Sequence, residues 1–407
     1  MTATAMSPAM SPAALAPQTR AAASPAPAPA PVATTAGAAE LDPVVEERER
    51  MRRFGAALDE LKRRVEAEIG PDDVAYIQRM RRLSRALEVT GRVLIHVSPE
   101  PLSFFAGVGA LWLHKQLEAT EIGHTALHGA FDGLPGAEAF ASKTFSWATP
   151  IDEESWRYGH NVRHHQYTNI AGKDPDIHFG PVRLTEHTPH RRMHYIQVPW
   201  LLLESGTFLF GMNLHFTGVV DAIAGNGRPE QFDFLEDRSK ASVRGAWRKA
   251  LRKFVPYYAR EYGLFPALAG PLWWKVALGN FMAATMRDYY TAATIYCGHV
   301  ADDVKTYPEG TRAHGRGEWY RMQVEAAQNF EVPRWVSVLC GALDRQIEHH
   351  LFPRFPTNRL REIAPEVRKI ATEHGVEYRT DTWGRTLGGV LKRLARLSFP
   401  NRKPATT

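Results

Sequence analysis

Cysteine is scarce in this chain, because only Cys297 and Cys340 carry a thiol among its 407 residues. Two cysteines provide no disulfide framework, and they argue against a structural zinc finger or an iron–sulfur cluster, which usually need several thiolate ligands. We therefore expect a reducing compartment. Any metal site in this chain must use other ligands.

A secretory signal is absent as well, since the N-terminus lacks a basic start followed by a run of aliphatic residues. Residues 1–43 are mostly Ala, Pro, Ser and Thr, with few charges such as Arg20 and Glu40. Such a segment cannot bury enough apolar surface to offset the entropy lost on ordering. We predict a disordered tail here and no export.

Strand patterns are also missing, because no run of alternating apolar and polar residues lies between Asn-Gly or Asp-Gly turns. We therefore predict one all-α domain over residues 44–400. Within it we expect amphipathic helices over 44–90, a core over 90–355 and further amphipathic helices over 356–400. The first of these carries an apolar stripe at helical spacing, formed by Met51, Phe54, Leu58, Leu61 and Val65.

The charge of the chain is mildly positive, with a formal net charge of +6. No basic groove interleaved with aromatic residues is present, so we exclude nucleic acid as a partner. The basic segment WGRTLGGVLKRLARLSFPNRK over 383–403 is typical of a helix that lies on anionic lipid headgroups. A solvated helix face is the alternative.

No apolar run is perfect, but apolar residues are concentrated in three segments, 92–116, 195–223 and 262–286. Segments of this length can approach roughly 30 Å of hydrocarbon. We therefore predict an integral membrane helical bundle, with buried helices of a large soluble protein as the alternative. The connecting stretch 241–260 is strongly basic. If it is a loop outside the membrane it opposes the positive-inside tendency, unless the flanking segments are shallow re-entrant hairpins.

Histidine is the residue that stands out against these absences, with 17 in the chain. Three short clusters and one isolated position attract attention: His124 and His128 in EIGHTALHG, His160, His164 and His165 in HNVRHHQYTN, His349 and His350 in DRQIEHHLFP, and His299 in IYCGHVADD. By its position alone, His299 is more typical of a satisfied interior histidine.

Helix geometry indicates how these histidines can act together. Residues four apart lie on one face of an α-helix, so His124 with His128, and His160 with His164, can each hold one ion. Adjacent residues point about 100° apart, so the doubled histidines serve two ions or opposite sides of one site. Neutral imidazoles without thiolates suit Zn, Fe, Cu or Ni. The sequence therefore predicts a polyhistidine site for two metal ions.

The spacings HxxxH at 124–128, HxxxHH at 160–165 and QxxHH at 346–350 resemble the three histidine boxes of the membrane fatty acid desaturases. The flanking sequences HNVRHHQYTNIAGKDPDI and QIEHHLFPRFPTNRL are similar to those of bacterial acyl-lipid and acyl-CoA desaturases whose third box begins with Gln. The resemblance covers about residues 90–380. It is specific, because three boxes in this order rarely arise by chance.

This resemblance implies a non-haem centre of two iron ions that activates O2 and introduces a cis double bond into the acyl chain of a lipid or an acyl-CoA. It implies a bacterial cytoplasmic membrane protein whose helical cap holds the metal site on the cytoplasmic side. Gln346 replaces a histidine, and it is expected to be a weak ligand or the partner of a bound water. The implied metal ligands are His124, His128, His160, His164, His165, His299, His349 and His350.

Electrons are expected from a separate donor, such as a ferredoxin with its reductase. The chain has no HPGG motif of a fused b-type cytochrome, no GxGxxG after a strand and no four-cysteine cluster. Five carboxylates near the boxes are candidates to accept the second ring N–H of a ligand and fix its tautomer, with a surface charge as the alternative for each. They are Glu121, Asp174, Asp176, Asp344 and Glu348.

Two other functions use similar histidines. Hydroxylases, alkane monooxygenases and carotenoid ketolases share the architecture and insert oxygen into the product, although the third box QIEHHLFP argues against them. A histidine-rich membrane protein that binds or transports metal is the non-catalytic alternative, and it predicts ligands that face a pore. The sequence leaves the head group, chain length and bond position undetermined.

Overall fold

The computed structural model describes residues 42–179, 181–224, 232–235 and 237–401. The predicted disordered tail therefore lies outside the described residues up to residue 41. The first helix begins at Pro43. The proposed division of 44–400 into cap and core segments stays a prediction.

Helices dominate the described part of the chain, as predicted. The α-helices are α1 Pro43–Glu68, α2 Pro71–Val97, α3 Pro101–Leu117, α4 Thr125–Leu127, α5 Glu153–Trp156, α6 Gln197–Ser205, α7 Phe208–Phe216, α8 Val219–Ala224, α9 Lys240–Tyr258, α10 Phe265–Ala267, α11 Trp273–His299, α12 Arg316–Glu325, α13 Arg334–Cys340, α14 Gln346–Leu351, α15 Thr357–Glu373 and α16 Trp383–Leu397. The π-helices are Glu118–His124, Arg157–His164 and Ala259–Leu264. The 3-10 helices are Glu138–Phe140, Pro175–Ile177, Arg192–Ile196, Gly270–Leu272 and Leu343–Arg345.

One small sheet was not predicted. Strands β1 Asn329–Glu331 and β2 Thr380–Thr382 pair in parallel, with Phe330 opposite Asp381. Strands of three residues are too short to show an alternating pattern, which explains why the sequence gave no sign of them.

The apolar stripe of α1 is buried, as its spacing predicted. Phe54 and Leu58 are fully buried, and the stripe packs in one cluster with Tyr320, Phe352 and Leu360. Burial of each such side chain stabilises the fold by roughly 1.5–3 kcal/mol. The stripe therefore fixes α1 as a cap on the helices that follow the third histidine box.

The three predicted membrane segments are each interrupted. Segment 195–223 is divided by turns at 206–207 and 217–218, segment 92–116 by the Pro-rich turn after α2, and segment 262–286 by a turn that contains Pro271. Proline lacks an N–H and is favoured at the start of a helix, and Pro101 and Pro271 lie at two of these breaks. Among the described residues, no helix combines the length and the apolar character that crossing a membrane requires.

The stretch 241–260 was expected to be a connecting loop, and this expectation is wrong. It forms most of helix α9, which begins after the N-cap Ser239, whose side chain accepts a hydrogen bond from the backbone N–H of Ser242. Buried Ala246, Ala250 and Phe254 recur at helical spacing on one face. The basic residues occupy the other face. Their number made the stretch resemble a polar connection when only its composition was considered.

The basic C-terminal segment forms α16, and part of its charge is used within the protein. Lys392 and Arg396 lie 2.7 and 3.0 Å from carboxylate oxygens of Asp302, and buried Arg393 donates to the carbonyls of Ala301 and Val304. These contacts account for three cations that the sequence suggested were available to lipid headgroups.

Candidate metal centre

The three histidine boxes lie on short helical segments that converge in the protein interior. His124 of the first box ends the π-helix Glu118–His124 and His128 directly follows α4, His160 and His164 of the second box lie in the π-helix Arg157–His164, and the third box lies on α14. His299 is the last residue of α11. All eight predicted histidines are buried and share one cluster of rings. Their role as metal ligands stays a prediction.

The first group of imidazoles consists of His124, His128, His160 and His349, whose candidate ligand atoms all lie within 4.8 Å of one another. Nε2 of His124 lies 3.2 Å from Nε2 of His128 and 3.3 Å from Nε2 of His160. His124 and His128 thus meet as their spacing predicted.

The second group consists of His164, His299 and His350. Nε2 of His350 lies 3.0 Å from Nε2 of His299 and 3.3 Å from Nε2 of His164. The adjacent residues His349 and His350 therefore face different groups, as the 100° step between them predicted. His160 and His164 lie in different groups of this pair, but with Asp176 they form a third set whose candidate ligand atoms lie within 4.8 Å of one another. That they hold one ion together stays a prediction.

His165 occupies the space between the two groups. Its ring centroid lies 4.7 Å from that of His128 in the first group and 4.5 Å from that of His350 in the second. Both of its ring nitrogens are buried without a hydrogen-bond partner among the described residues. Burial of a polar atom without a hydrogen-bond partner costs folding free energy. Such an atom usually binds an ion or a water.

Two π-helices carry histidines of the first two boxes. Within the first one, the indole N–H of Trp147 donates to the carbonyl of Glu118 over 2.9 Å, and this aromatic side chain lies directly on Gly123. A Cβ at Gly123 would lie 2.0 Å from Nε1 of Trp147, so only glycine fits. The wider turn of a π-helix shifts the side chains that follow it, and such turns are frequent at functional sites.

Two carboxylates orient ligands from the far side of their rings. Nδ1 of His164 lies 3.0 Å from Oδ1 of Asp174, and Nδ1 of His160 lies 3.2 Å from Oδ2 of Asp176. Asp174 is itself fixed, because it accepts the backbone N–H groups of Asn169 and Asp176. These contacts leave Nε2 of each ring directed at the cluster, as in carboxylate–histidine–metal arrangements.

The other three candidate carboxylates do not touch the histidines, so that part of the prediction is wrong. Each is occupied by different donors. Glu121 binds Arg361 and Thr357, Asp344 accepts from Ser337, and Glu348 accepts from Asn329 and Tyr378. The positions of these three carboxylates on their helices bring them to those donors and not to the imidazoles.

Sequence reasoning missed the partners of His350. Its Nδ1 lies 3.1 Å from Oε1 of Gln323 and 3.1 Å from Oγ1 of Thr168. Thr168 lies four residues after His164, a spacing that offered a signal, whereas Gln323 comes from the distant α12 without any local pattern. Trp156 was also missed, and it stacks on His160 with a ring centroid distance of 4.5 Å.

Burial and nearby carboxylates shift the pKa values of the clustered imidazoles in opposite directions. Burial lowers the pKa of His124 and of His299 to about 3, so both rings are neutral near pH 7. Burial alone would also lower the pKa of His164, but the carboxylates of Asp174 and Asp176 outweigh it and raise that pKa to about 9. A partner that makes an imidazole more basic also makes it a stronger ligand.

Gln346 lies at the second group, as its place in the third box predicted. Its Nε2 is 2.7 Å from Nε2 of His299, and its Oε1 is buried without a partner among the described residues. The oxygen and nitrogen of a side-chain amide exchange places by a simple flip, so the oxygen can equally face His299. In that orientation Gln346 offers an oxygen ligand, or an acceptor for a bound water.

Gly298 makes room for Gln346, and this gives a prediction. A Cβ at position 298 would lie 2.7 Å from Cγ of Gln346. We expect Gly298→Ala to lower the free energy of unfolding by about 1–3 kcal/mol through overpacking, and to reduce activity by displacing Gln346. The melting temperature and product formation are the measurements.

A matched glycine provides the control for that experiment. Gly245 on α9 has no atom within 4 Å of its virtual Cβ, so Gly245→Ala should hold or raise the melting temperature. Equal melting temperatures and activities for the two variants would show that Gln346 does not depend on this contact.

A narrow, mostly apolar cavity lies against the cluster. Its polar wall contains His124, His160, His164 and His299. Leu209, Met212, Ile295, Trp147 and Trp156 supply much of the remaining wall. A lining of this kind suits an apolar ligand chain that passes beside the imidazoles.

The cluster fits metal ions in its chemistry and its spacing. Two nitrogen ligands at about 2.0–2.1 Å from one ion, at angles between 90° and 109°, lie roughly 2.9–3.4 Å apart, and the Nε2 separations of 3.0–3.3 Å fall in this range. The fold and the site thus define a helical protein with a buried polyhistidine cluster suited to two metal ions.

Comparisons with known proteins agree with this class. Residues 100–382 match the family model described as fatty acid desaturase. The chain is 32% identical over 358 residues to an NADPH-dependent stearoyl-CoA 9-desaturase of Mycobacterium tuberculosis, covering 86% of this chain and 80% of that relative. It is 26% identical to an sn-1 linoleoyl-lipid 6-desaturase of Synechocystis, covering 63% of this chain and 70% of the relative.

The chain therefore belongs to the fatty acid desaturase family. It is a fatty acyl desaturase, an oxidoreductase of lipid metabolism, as the histidine boxes indicated. The resemblance drawn from the sequence is confirmed, and desaturation is favoured over the hydroxylase, ketolase and transport alternatives.

Proposed function

We propose that this desaturase uses two iron ions and O2 to introduce a cis double bond at carbon 9 of a long saturated fatty acyl-CoA. The observation that carries the proposal is the pair of converging imidazole groups on one wall of an apolar cavity. The relative from Mycobacterium tuberculosis, named for stearoyl-CoA and position 9, supports the acyl carrier and the bond position.

The site residues fit the metal requirement of this reaction. Two iron ions bound at the histidines would supply the oxidation in which two hydrogens leave adjacent carbons while O2, two donor electrons and two further protons become two water molecules. Asp174 and Asp176 hold His164 and His160 in the tautomer that presents Nε2. Gln323 and Thr168 do the same for His350.

The cavity lining would position the acyl chain and exclude water. Leu209, Met212 and Ile295 offer apolar contacts, while Trp156 covers His160 on the cavity side. An alkyl chain gives no polar handle, so its reacting carbons must be selected by where the cavity walls hold them. Exclusion of water protects the oxidation from side reactions.

A membrane location is part of the proposal. Leu203, Leu268 and Val97 are 71%, 68% and 67% exposed, and such large exposed apolar residues mark an interaction surface. The ends of α2 and α11 meet, since Nζ of Lys275 donates to the carbonyls of His96 and Ser98. The N–H donors of Lys275 are thus hydrogen-bonded within the protein. We propose an integral protein of the bacterial cytoplasmic membrane with the metal site on the cytoplasmic side.

Fatty acid analysis tests this function directly. The chain is expressed in a bacterial host with a ferredoxin and its NADPH-dependent reductase, beside a variant that carries both His164→Ala and His165→Ala. Gas chromatography with mass spectrometry, after derivatisation of double bonds, should detect a new acid unsaturated at carbon 9 only with the intact boxes.

The outcomes of this experiment are distinct. A hydroxylated product contradicts desaturation, and an unchanged profile contradicts the function as proposed. A double bond at another carbon contradicts the assigned position alone. Purified protein supplied with stearoyl-CoA, or with vesicles of stearoyl phosphatidylcholine, decides the acyl carrier, because only the first should react.

A further inference from the structure

Helix α9 carries two parallel rows of exposed side chains on the face that does not pack against the protein. Three cations are exposed at intervals of four residues, namely Lys240, Arg244 and Arg248. Trp247, Leu251 and Val255 repeat at the same interval, and they are 39%, 46% and 61% exposed. Residues three or four apart are neighbours on a helix, so the row of cations lies directly beside the apolar row.

The first half of α9 has an excess of positive charge. The helix contains no Asp or Glu. The three acidic side chains beside its second half pair with Arg252 and Lys253, and they are Asp152, Glu153 and Glu154. Asp237, an exposed acid just before α9, accepts the backbone N–H of Ser239 and offsets one charge at most. Four cations have no ion pair in the part of the chain that the structure describes: Lys240, Arg244, Arg248 and Lys249.

The apolar row of α9 continues onto further exposed apolar surface. The ring of Tyr258, at the end of the helix, stacks on that of Tyr262 with a centroid distance of 6.0 Å. Leu264 and Leu268 follow, 56% and 68% exposed. Cations alone would suit an acidic protein or a nucleic acid, but exposed aliphatic side chains beside them would stay in water there. Trp, Leu and basic residues together are typical of helices that lie between lipid headgroups and hydrocarbon.

Ion pairs hold α9 close to the second histidine box. Nη2 of Arg252 lies 2.6 Å from Oδ1 of Asp152, which caps α5 by accepting the backbone N–H of Ser155. The π-helix of the second box follows α5 directly. The basic helix is therefore attached to the segment that leads into the metal centre, and the positive-inside tendency favours the cytoplasmic side for both.

We propose that α9 lies on the surface of a lipid bilayer, with its row of cations on anionic phospholipid headgroups and its apolar row among the first carbons of the acyl chains. The inference rests on the membrane location under Proposed function and adds to it a lipid class and a helix. Long basic side chains can lie along apolar surface while their charge stays at the phosphates, and salt screens that attraction. The sequence favoured α16 for this role, but Lys392 and Arg396 of α16 pair with Asp302.

A nitroxide label on α9 tests the proposal without relying on turnover. The full chain carries the label at Leu251→Cys, because Cys297 and Cys340 are buried and leave the introduced thiol as the reactive one. It is reconstituted in nanodiscs of phosphatidylcholine, alone or mixed with phosphatidylglycerol. Electron paramagnetic resonance then measures how accessible the label is to O2, which concentrates in lipid, and to a nickel complex, which stays in water. We expect phosphatidylglycerol to raise the first accessibility and lower the second, and high salt to weaken this shift.

Charge variants in the same labelled chain identify the cause of the shift. Arg244→Glu combined with Arg248→Glu should abolish the response to phosphatidylglycerol, whereas Arg244→Lys combined with Arg248→Lys should keep it. Lys369→Glu is the matched control, because the side chain of Lys369 on α15 is 73% exposed, and the response should persist. A response that survives the double reversal on α9 would overturn the proposal. A label that is shielded by soluble heparin and ignores phosphatidylglycerol would show a surface for acidic macromolecules, and the proposal would be wrong.

Two further label positions separate this inference from the membrane location on which it rests. A label at Leu268→Cys should lie in lipid in every nanodisc, and one at Lys369→Cys should stay in water. If water surrounds the labels at both Leu268→Cys and Leu251→Cys, the membrane location itself fails. If lipid surrounds the label at Leu268→Cys while the label at Leu251→Cys stays in water with phosphatidylglycerol present, only the inference about α9 is wrong.

Discussion

His350→Ala is expected to lower desaturation more than about 100-fold, and to remove about one metal ion per chain. His350 is the centre of the second group, because its Nε2 lies within 3.3 Å of both His299 and His164. Loss of an outer partner of a ligand typically costs 10–100-fold, so loss of the ligand itself should cost more. Elemental analysis of the purified protein and fatty acid analysis give the two readouts.

An exposed histidine distinguishes this effect from a general loss of imidazole. His314 lies on the surface before α12, and His314→Ala should keep both metal content and activity. A His350→Ala variant that retains all of its metal would contradict the assignment of the second group. The same variant with one ion lost and full activity would show that this group is not needed for the reaction.

Asp174→Asn is expected to reduce metal affinity or activity about 10–100-fold, with little change in the shape of the site. Asp174 accepts hydrogen bonds from His164, Asn169 and the backbone of Asp176. The amide of asparagine carries two N–H donors, so it must turn one of them toward a group that is itself a donor. The variant therefore loses the negative charge behind His164 and also the fixed orientation of the ring. Metal affinity is measured by competition with a chelator.

Glu348 provides a carboxylate matched to Asp174 in burial. It precedes His349 in sequence, yet it accepts from Asn329 and Tyr378 and touches no ligand. Glu348→Gln should lower the melting temperature by disturbing these bonds, while metal affinity stays unchanged. If Asp174→Asn and Glu348→Gln lose metal affinity to a comparable degree, contact between the carboxylate and an imidazole ring is not the cause of the loss in Asp174→Asn.

The two pairs of histidines at HxxxH spacing show how far sequence reasoning reached. His124 and His128 meet at one group, as ideal helix spacing predicted. His160 and His164 have the same spacing, but their Nε2 atoms face His124 and His350 respectively, although with Asp176 they also form a third set of candidate ligand atoms. His124 ends one π-helix and His160 and His164 lie in another, and such turns are held by distant side chains, such as Trp147 on Glu118 and Gly123. A pattern within a few residues cannot contain that information.

The membrane segments illustrate a second limit. Apolar composition located 92–116, 195–223 and 262–286, and Pro99, Glu100 and Pro101 predicted the break in the first, but composition did not predict the turns that divide the other two. Conversely, the many basic residues of 241–260 gave no indication of helix α9, whose buried face is made of small and aromatic residues. Composition averages over the faces of a helix, whereas packing acts on one face at a time.

Local pattern alone determined the helical class, the buried stripe of α1 and the seven box histidines, because helical periodicity and box spacing are properties of neighbouring residues. His299 came from the family resemblance. Tertiary structure decided which imidazoles share a group, which two of five carboxylates hold them, and that Gln323 and Thr168 support His350. These contacts join residues far apart in sequence, such as His350 with Gln323 and Glu121 with Arg361. They depend on how long helices pack, and no short stretch of sequence fixes that packing.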